Sequence, residues 1–170
     1  CADAWKLMEQ TPVDWVGSGE LLFDAESVES QLTKLKKKPI DLLLIMQLTF
    51  TDATMTVKIA ESFDVPILFW SFPEKRTGGR LRLNSLCGVN LAAHALGKSG
   101  IQCDYINLSP NDPETSEDLS SWIRAFQTRK NLSSTKIAVI GKHPDGFHTC
   151  AFDSGKLKEI SGVTVEQMEL

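Results

Sequence analysis

Two apolar runs of strand length, Ile40 to Met46 with Asp41 as its one polar member and Val65 to Trp70, dominate the hydrophobic pattern of this chain. Neither alternates with polar residues, which is the pattern of strands buried on both faces in a parallel sheet. Between them Ala53, Val57 and Ala60 recur at helical spacing, so Thr51 to Phe63 is predicted as a helix capped by Thr51 or Asp52. A third apolar periodicity, Leu86, Val89, Leu91, Ala92, Ala93 and Leu96, predicts a helix from about Asn84 that Gly97 and Gly100 end.

The flanks follow the same logic. Ala2 to Gln10 reads as the end of a helix stopped by Pro12, and Val13 to Val16 as a short strand. Asp24 is placed to cap a helix containing Val28, Leu32 and Leu35. Cys103 to Leu108 is the next strand, and Asp112 before Pro113 opens a helix through Leu119, Trp122, Ile123 and Phe126. Lys136 to Ile140 is a strand, Gly141 to Gly146 a loop, Leu157 to Ile160 part of a helix ending at Gly162, and Val163 to Val165 the start of a last strand. Sustained alternation of strand and helix makes the class α/β, with an open, mainly parallel sheet flanked by helices. The acidic, turn-rich segment at Pro110 to Glu114 is the best domain boundary, dividing 1–112 from 113–170.

Composition narrows the class without changing it. With 42% hydrophobic and 24% charged residues, this is an ordinary globular chain, and 170 residues bury about 70% of their unfolded surface without staples. Cys1, Cys87, Cys103 and Cys150 are scattered, which argues for reduced thiols in a cytoplasmic protein rather than a zinc site. A net charge of −4 gives no overall field for nucleic acid, and no run approaches the ~20 apolar residues that span a bilayer. The basic stretch Lys34 to Lys38 sits at a helix end, where cations complement exposed carbonyls. Gly17-Ser18-Gly19-Glu20 lacks the third glycine of a dinucleotide fingerprint, so it is expected to be a flexible turn.

Candidate chemistry collects beyond the carboxyl ends of the two central strands, where open α/β sheets bind ligands. The segment Glu74-Lys75-Arg76-Thr77-Gly78-Gly79-Arg80-Leu81-Arg82 combines guanidinium groups with backbone amides free to face an anion. Thr49 and Phe50 reach the same edge from the first strand, and Trp70 and Phe72 from the second. Aromatic faces with a few polar groups suit sugar-like ligands. The candidate binding residues are therefore Thr49, Phe50, Trp70, Phe72, Arg76, Arg80, Arg82 and Asn84. His94, His143 and His148 lack a known ligand spacing, Cys87 lacks a histidine partner, and no Gly-x-Ser-x-Gly elbow occurs, so no catalytic or metal-binding residue is assigned.

Several pieces, in order and spacing, resemble the L-fucose isomerase and L-arabinose isomerase family. They are Asp41-Leu-Leu-Leu-Ile-Met with Thr49-Phe50, Val65-Pro66-Ile-Leu, Gly88-Val-Asn-Leu-Ala-Ala-His-Ala-Leu, and the closing Lys136-Ile-Ala-Val-Ile-Gly, Gly146-Phe147, Gly162-Val163 and Met168-Glu169-Leu170. The resemblance implies a flavodoxin-like or Rossmann-like first domain lacking its first strand, followed by the opening part of a second α/β domain. It implies the amino-terminal fragment of an oligomeric aldose-ketose isomerase, whose parent uses manganese or another divalent metal held by later domains. The fragment would contribute a substrate pocket and oligomer contacts but no catalytic metal site, and would be inactive alone. Trp70-Ser71-Phe72-Pro73 stands where the arabinose enzymes carry a histidine-rich segment. The alternative is a non-enzymatic α/β binding module for an anionic sugar or phosphate.

Overall fold

The computed structural model describes residues 2–17 and 19–169. Cys1, Ser18 and Leu170, which entered the thiol, turn and resemblance arguments, lie outside the described residues. The chain divides into two compact units, 1–120 and 121–170.

In the first unit, helices α1 (Ala2–Met8) and α2 (Ala25–Leu35) precede β1 (Leu43–Gln47), α3 (Thr54–Ala60), β2 (Ile67–Ser71), α4 (Ser85–Lys98) and β3 (Asp104–Asn107). Helix α5 (Thr115–Ser133) runs through the division between the units. The three strands form one parallel sheet in the order β1-β2-β3, with Gln47, Ser71 and Asn107 in register at the carboxyl edge. β2 is buried at every position, as expected of a central strand whose two faces are covered. Ile67 and Phe69 pack with Leu43, Ala60, Val89, Ala92 and Leu96, so α3 and α4 cover that face. Leu68 and Trp70 point to the other face by the period of two and are equally buried. This is the α/β architecture of parallel strands flanked by helices that the alternation predicts, in the flavodoxin-like arrangement that the resemblance implies.

Capping explains several boundaries. The Asp24 carboxylate accepts the Ser27 amide at 2.8 Å while the Ser27 hydroxyl oxygen accepts the Asp24 amide at 3.2 Å, a reciprocal box that starts α2. Those bonds hold the Asp24 carboxyl below its ordinary pKa.

Three expectations are corrected. Val13 to Val16 forms no strand: the Trp15 indole donates to the Met8 carbonyl and the Thr11 hydroxyl, both at 2.9 Å, tying this segment to the end of α1 instead. Helix α3 starts at Thr54 rather than Thr51, because the Asp52 carboxylate takes the Thr54 amide at 2.8 Å and Thr51 accepts from Gln47. Gly97 lies inside α4, and the chain turns instead at Gly100, whose φ of 75° is one that glycine adopts without a Cβ penalty.

The second unit contains β4 (Lys136–Ile140), α6 (Ser154–Ser161) and β5 (Thr164–Met168), with β4 and β5 paired in parallel from Lys136↔Thr164 to Ile140↔Met168. Gly162, at φ 78°, ends α6, and a side chain there would meet Ser133 at 2.6 Å. Among the described residues no helix is long and apolar enough to cross a membrane.

Candidate functional site

The carboxyl edge of the first unit's sheet is a row of polar side chains satisfied by the neighbouring strand or by the turn that follows. Ser71 places its hydroxyl 2.9 Å from the Asn107 side-chain oxygen. The Gln47 side-chain amide donates to the Thr49 carbonyl at 2.7 Å, fixing the turn out of β1. Ser85, the first residue of α4, donates its hydroxyl to the Gln47 carbonyl and accepts the Phe72 amide at 3.0 Å. Gly88 permits this approach of α4 to the β1 turn: a Cβ there would lie 2.9 Å from the Thr49 carbonyl oxygen.

Above this edge the β1–α3 and β2–α4 loops meet. The Phe50 amide donates to the Leu83 carbonyl at 2.6 Å. Around that contact Thr49, Phe50, Arg80, Leu81, Arg82, Leu83 and Asn84 line an open concavity of about 430 Å³. Five of the eight candidate residues are thus brought together: Thr49, Phe50, Arg80, Arg82 and Asn84. Phe50 exposes 53% of its surface here.

The other three candidates lie elsewhere. Trp70 is fully buried, its indole N–H donating to the Leu108 carbonyl at 3.0 Å, so in this structure it packs the core. Phe72 is half-buried against Trp70, ring centroids 5.3 Å apart. Arg76 is exposed and outside the concavity's lining.

Sequence reasoning missed the role of Glu74. Its Oε1 accepts the Arg82 and Leu83 amides at 3.0 Å each, and its Oε2 accepts the Asn84 amide at 2.7 Å. The expectation of free amides in this loop is therefore corrected for 82–84: the protein's own carboxylate occupies them. The Asn84 and Leu83 amides hold the Glu74 carboxyl below the ordinary glutamate value, partial burial opposes them, and the Arg82 amide and charge assist. Asn84 itself has φ 53°, a left-handed conformation that asparagine tolerates better than most residues, and makes no side-chain cap. The one sequence signal was a glutamate separated from a helix start by a Gly-Gly turn.

The described cysteines, Cys87, Cys103 and Cys150, are free, and partial burial beside Asp104 pushes the Cys103 thiol up. His94 lies exposed on α4, and His143 and His148 are exposed in the second unit. Among the described residues no group of three His, Cys, Asp or Glu side chains is placed to hold a metal ion. The ligand set that a divalent metal needs is thus not gathered by these residues.

Residues 5–133 match the family model "Fucose/sulfoquinovose isomerase, N-terminal domain". The chain belongs to this family. All eight candidate residues fall within the matched range. The sulfoquinovose isomerase of Priestia megaterium (strain ATCC 12872 / QMB1551) is 34% identical over 151 residues, covering 89% of this chain and 34% of the relative. That of Alkalicoccus urumqiensis is 31% identical with the same coverage, and that of Clostridium sp. (strain MSTE9) is 34% identical over 130 residues, 75% of this chain and 29% of its own. The chain spans about a third of the length of these curated relatives. The resemblance to fucose and arabinose isomerases therefore holds at the level of the wider sugar-isomerase group, while the relatives carry the sulfoquinovose name.

Proposed function

We propose that this chain is the amino-terminal part of an aldose-ketose isomerase acting on an anionic sugar, and that its concavity holds the sugar's anionic group. The observation that carries this reading is the lining: two arginines, a threonine hydroxyl and an exposed phenyl ring, with no carboxylate among the lining residues. A guanidinium presents paired N–H donors to a tetrahedral oxyanion, and a ring face packs on the apolar face of a pyranose. The activity for which these relatives are named fits it, since sulfoquinovose is a glucose-type sugar bearing a sulfonate.

Within this reading Arg80 and Arg82 bind and orient, Thr49 and Asn84 donate to hydroxyls, and Phe50 covers one face. Isomerisation moves a hydrogen between the first two sugar carbons, and no residue here is assigned that step. A divalent metal, manganese in the isomerases that this chain resembles, would be held outside residues 1–170. The domains follow suit: 1–112 forms the amino-terminal α/β domain, 113–170 opens a second α/β domain, and the full-length protein is a homo-oligomer.

The test is turnover by the full-length protein of sulfoquinovose against fucose and arabinose. The reading expects kcat/KM for sulfoquinovose to exceed both by at least roughly a hundredfold, because a site built for a charged group leaves its donors unpaired with a neutral sugar. Preference for either neutral sugar would overturn it.

A further inference from the structure

The arginine-bearing side of the concavity is a loop, and long arginine side chains bind selectively only when their backbone is fixed. What fixes it is visible in the hydrogen bonds. Glu74 opens the loop after β2 and reaches across it to three consecutive amides, Arg82, Leu83 and Asn84, at 3.0, 3.0 and 2.7 Å. From the opposite side the Phe50 amide donates to the Leu83 carbonyl. Leu83 is thereby held at both its N–H and its C=O.

The geometry points to Glu74 as the positioning residue of this site: a carboxylate that closes the loop on itself and sets the path from Arg80 to Asn84 along the concavity. This deepens the proposed function and rests on it. A helix end needing only a cap would take one from the neighbouring Ser, Thr, Asp or Asn. Asn84 stands at that position and makes no side-chain cap, whereas the carboxylate comes from ten residues upstream and encloses the whole segment Lys75 to Leu81. Arg80 and Arg82 both stand on the segment that this carboxylate closes, Arg82 being held at its own backbone amide, and both line the concavity.

Glu74→Gln tests the assignment, since it keeps the size of the side chain but replaces one acceptor oxygen by a donor. Backbone amide exchange in the 170-residue chain is expected to rise roughly tenfold or more at Arg82, Leu83 and Asn84 and to stay unchanged at Leu68 and Val89, local opening being independent of the core. In the full-length protein KM for sulfoquinovose is expected to rise roughly tenfold, the scale of one lost charged hydrogen bond, with kcat unchanged. Glu74→Asp, which keeps the carboxylate, should recover part of both. Unchanged exchange in Glu74→Gln would overturn the assignment, as would faster exchange with an unchanged KM. If the wild-type protein does not turn over sulfoquinovose, the proposed substrate falls, and the exchange comparison still decides the role of Glu74.

Discussion

Glu74 Oε2 accepts the backbone amide of Asn84 at 2.7 Å, joining the exit of β2 to the entrance of α4 across ten residues. Because these amides hold the folded-state pKa of Glu74 below its unfolded value, the carboxylate contributes stability that is fully present above the unfolded value of about 4.3. That contribution is lost as pH falls through the folded pKa. The stability gap between wild type and Glu74→Gln should therefore be constant near neutrality and close progressively below about pH 4. Urea melts at stepped pH measure it, and a gap that widens on acidification contradicts the assignment.

Two glycines of α4 should respond oppositely to alanine. Gly97 faces open space in an ordinary helical conformation, so Gly97→Ala is expected to stabilise by about 0.5 kcal/mol through helix propensity. At Gly88 the same gain is opposed by contacts of 2.9 Å with the Thr49 carbonyl and 3.0 Å with the Gln47 side chain. The carbonyl is backbone, already held by the Gln47 amide, so the overpacking cost of about 1–3 kcal/mol wins and Gly88→Ala destabilises. Thermal melts of the two variants, with opposite shifts, check the pair.

Trp70 should behave as core. It is fully buried, and its indole N–H has a backbone partner in Leu108. Trp70→Ala is expected to cost about 3–5 kcal/mol of stability, and Trp70→Phe less, with the Leu108 carbonyl left without its donor. Equilibrium unfolding gives both numbers, and a loss below about 1 kcal/mol for the alanine variant would contradict this packing.

These residues also show how much was legible in the sequence. The positions of the parallel strands β1 and β2 were, because apolar runs of strand length mark them, but burial on both faces holds for the central β2, whereas edge strand β1 is buried only at Leu43 and Gln47. The start of α2 and the end of α6 were too, since Asp24 and Gly162 act through bonds within a few residues of themselves. Val13 to Val16 misled because Trp15 is apolar by composition, yet its indole bonds back to α1. The concavity lies at the sheet edge that topology pointed to, and Thr49, Phe50, Arg80, Arg82 and Asn84 line it. Trp70 lies within β2 and is fully buried, whereas Phe72 falls just past the strand's end at Ser71 and is half-buried, and an aromatic near a strand end carries no mark in the sequence of which side of that end it falls on. Glu74 was hidden for another reason. Its partners are amides eight to ten residues away, and only the loop's path brings them together.

The most direct measurement of the central claim is Arg80→Ala in the full-length protein, assayed with sulfoquinovose and with a neutral aldose, the fold being checked by circular dichroism. If Arg80 holds the anionic group, kcat/KM for sulfoquinovose falls roughly ten- to hundredfold, equivalent to about 1.5–3 kcal/mol for a lost charged hydrogen bond, and that for the neutral sugar hardly changes. An intact Arg80→Ala protein that retains wild-type kcat/KM and affinity for sulfoquinovose would contradict the account.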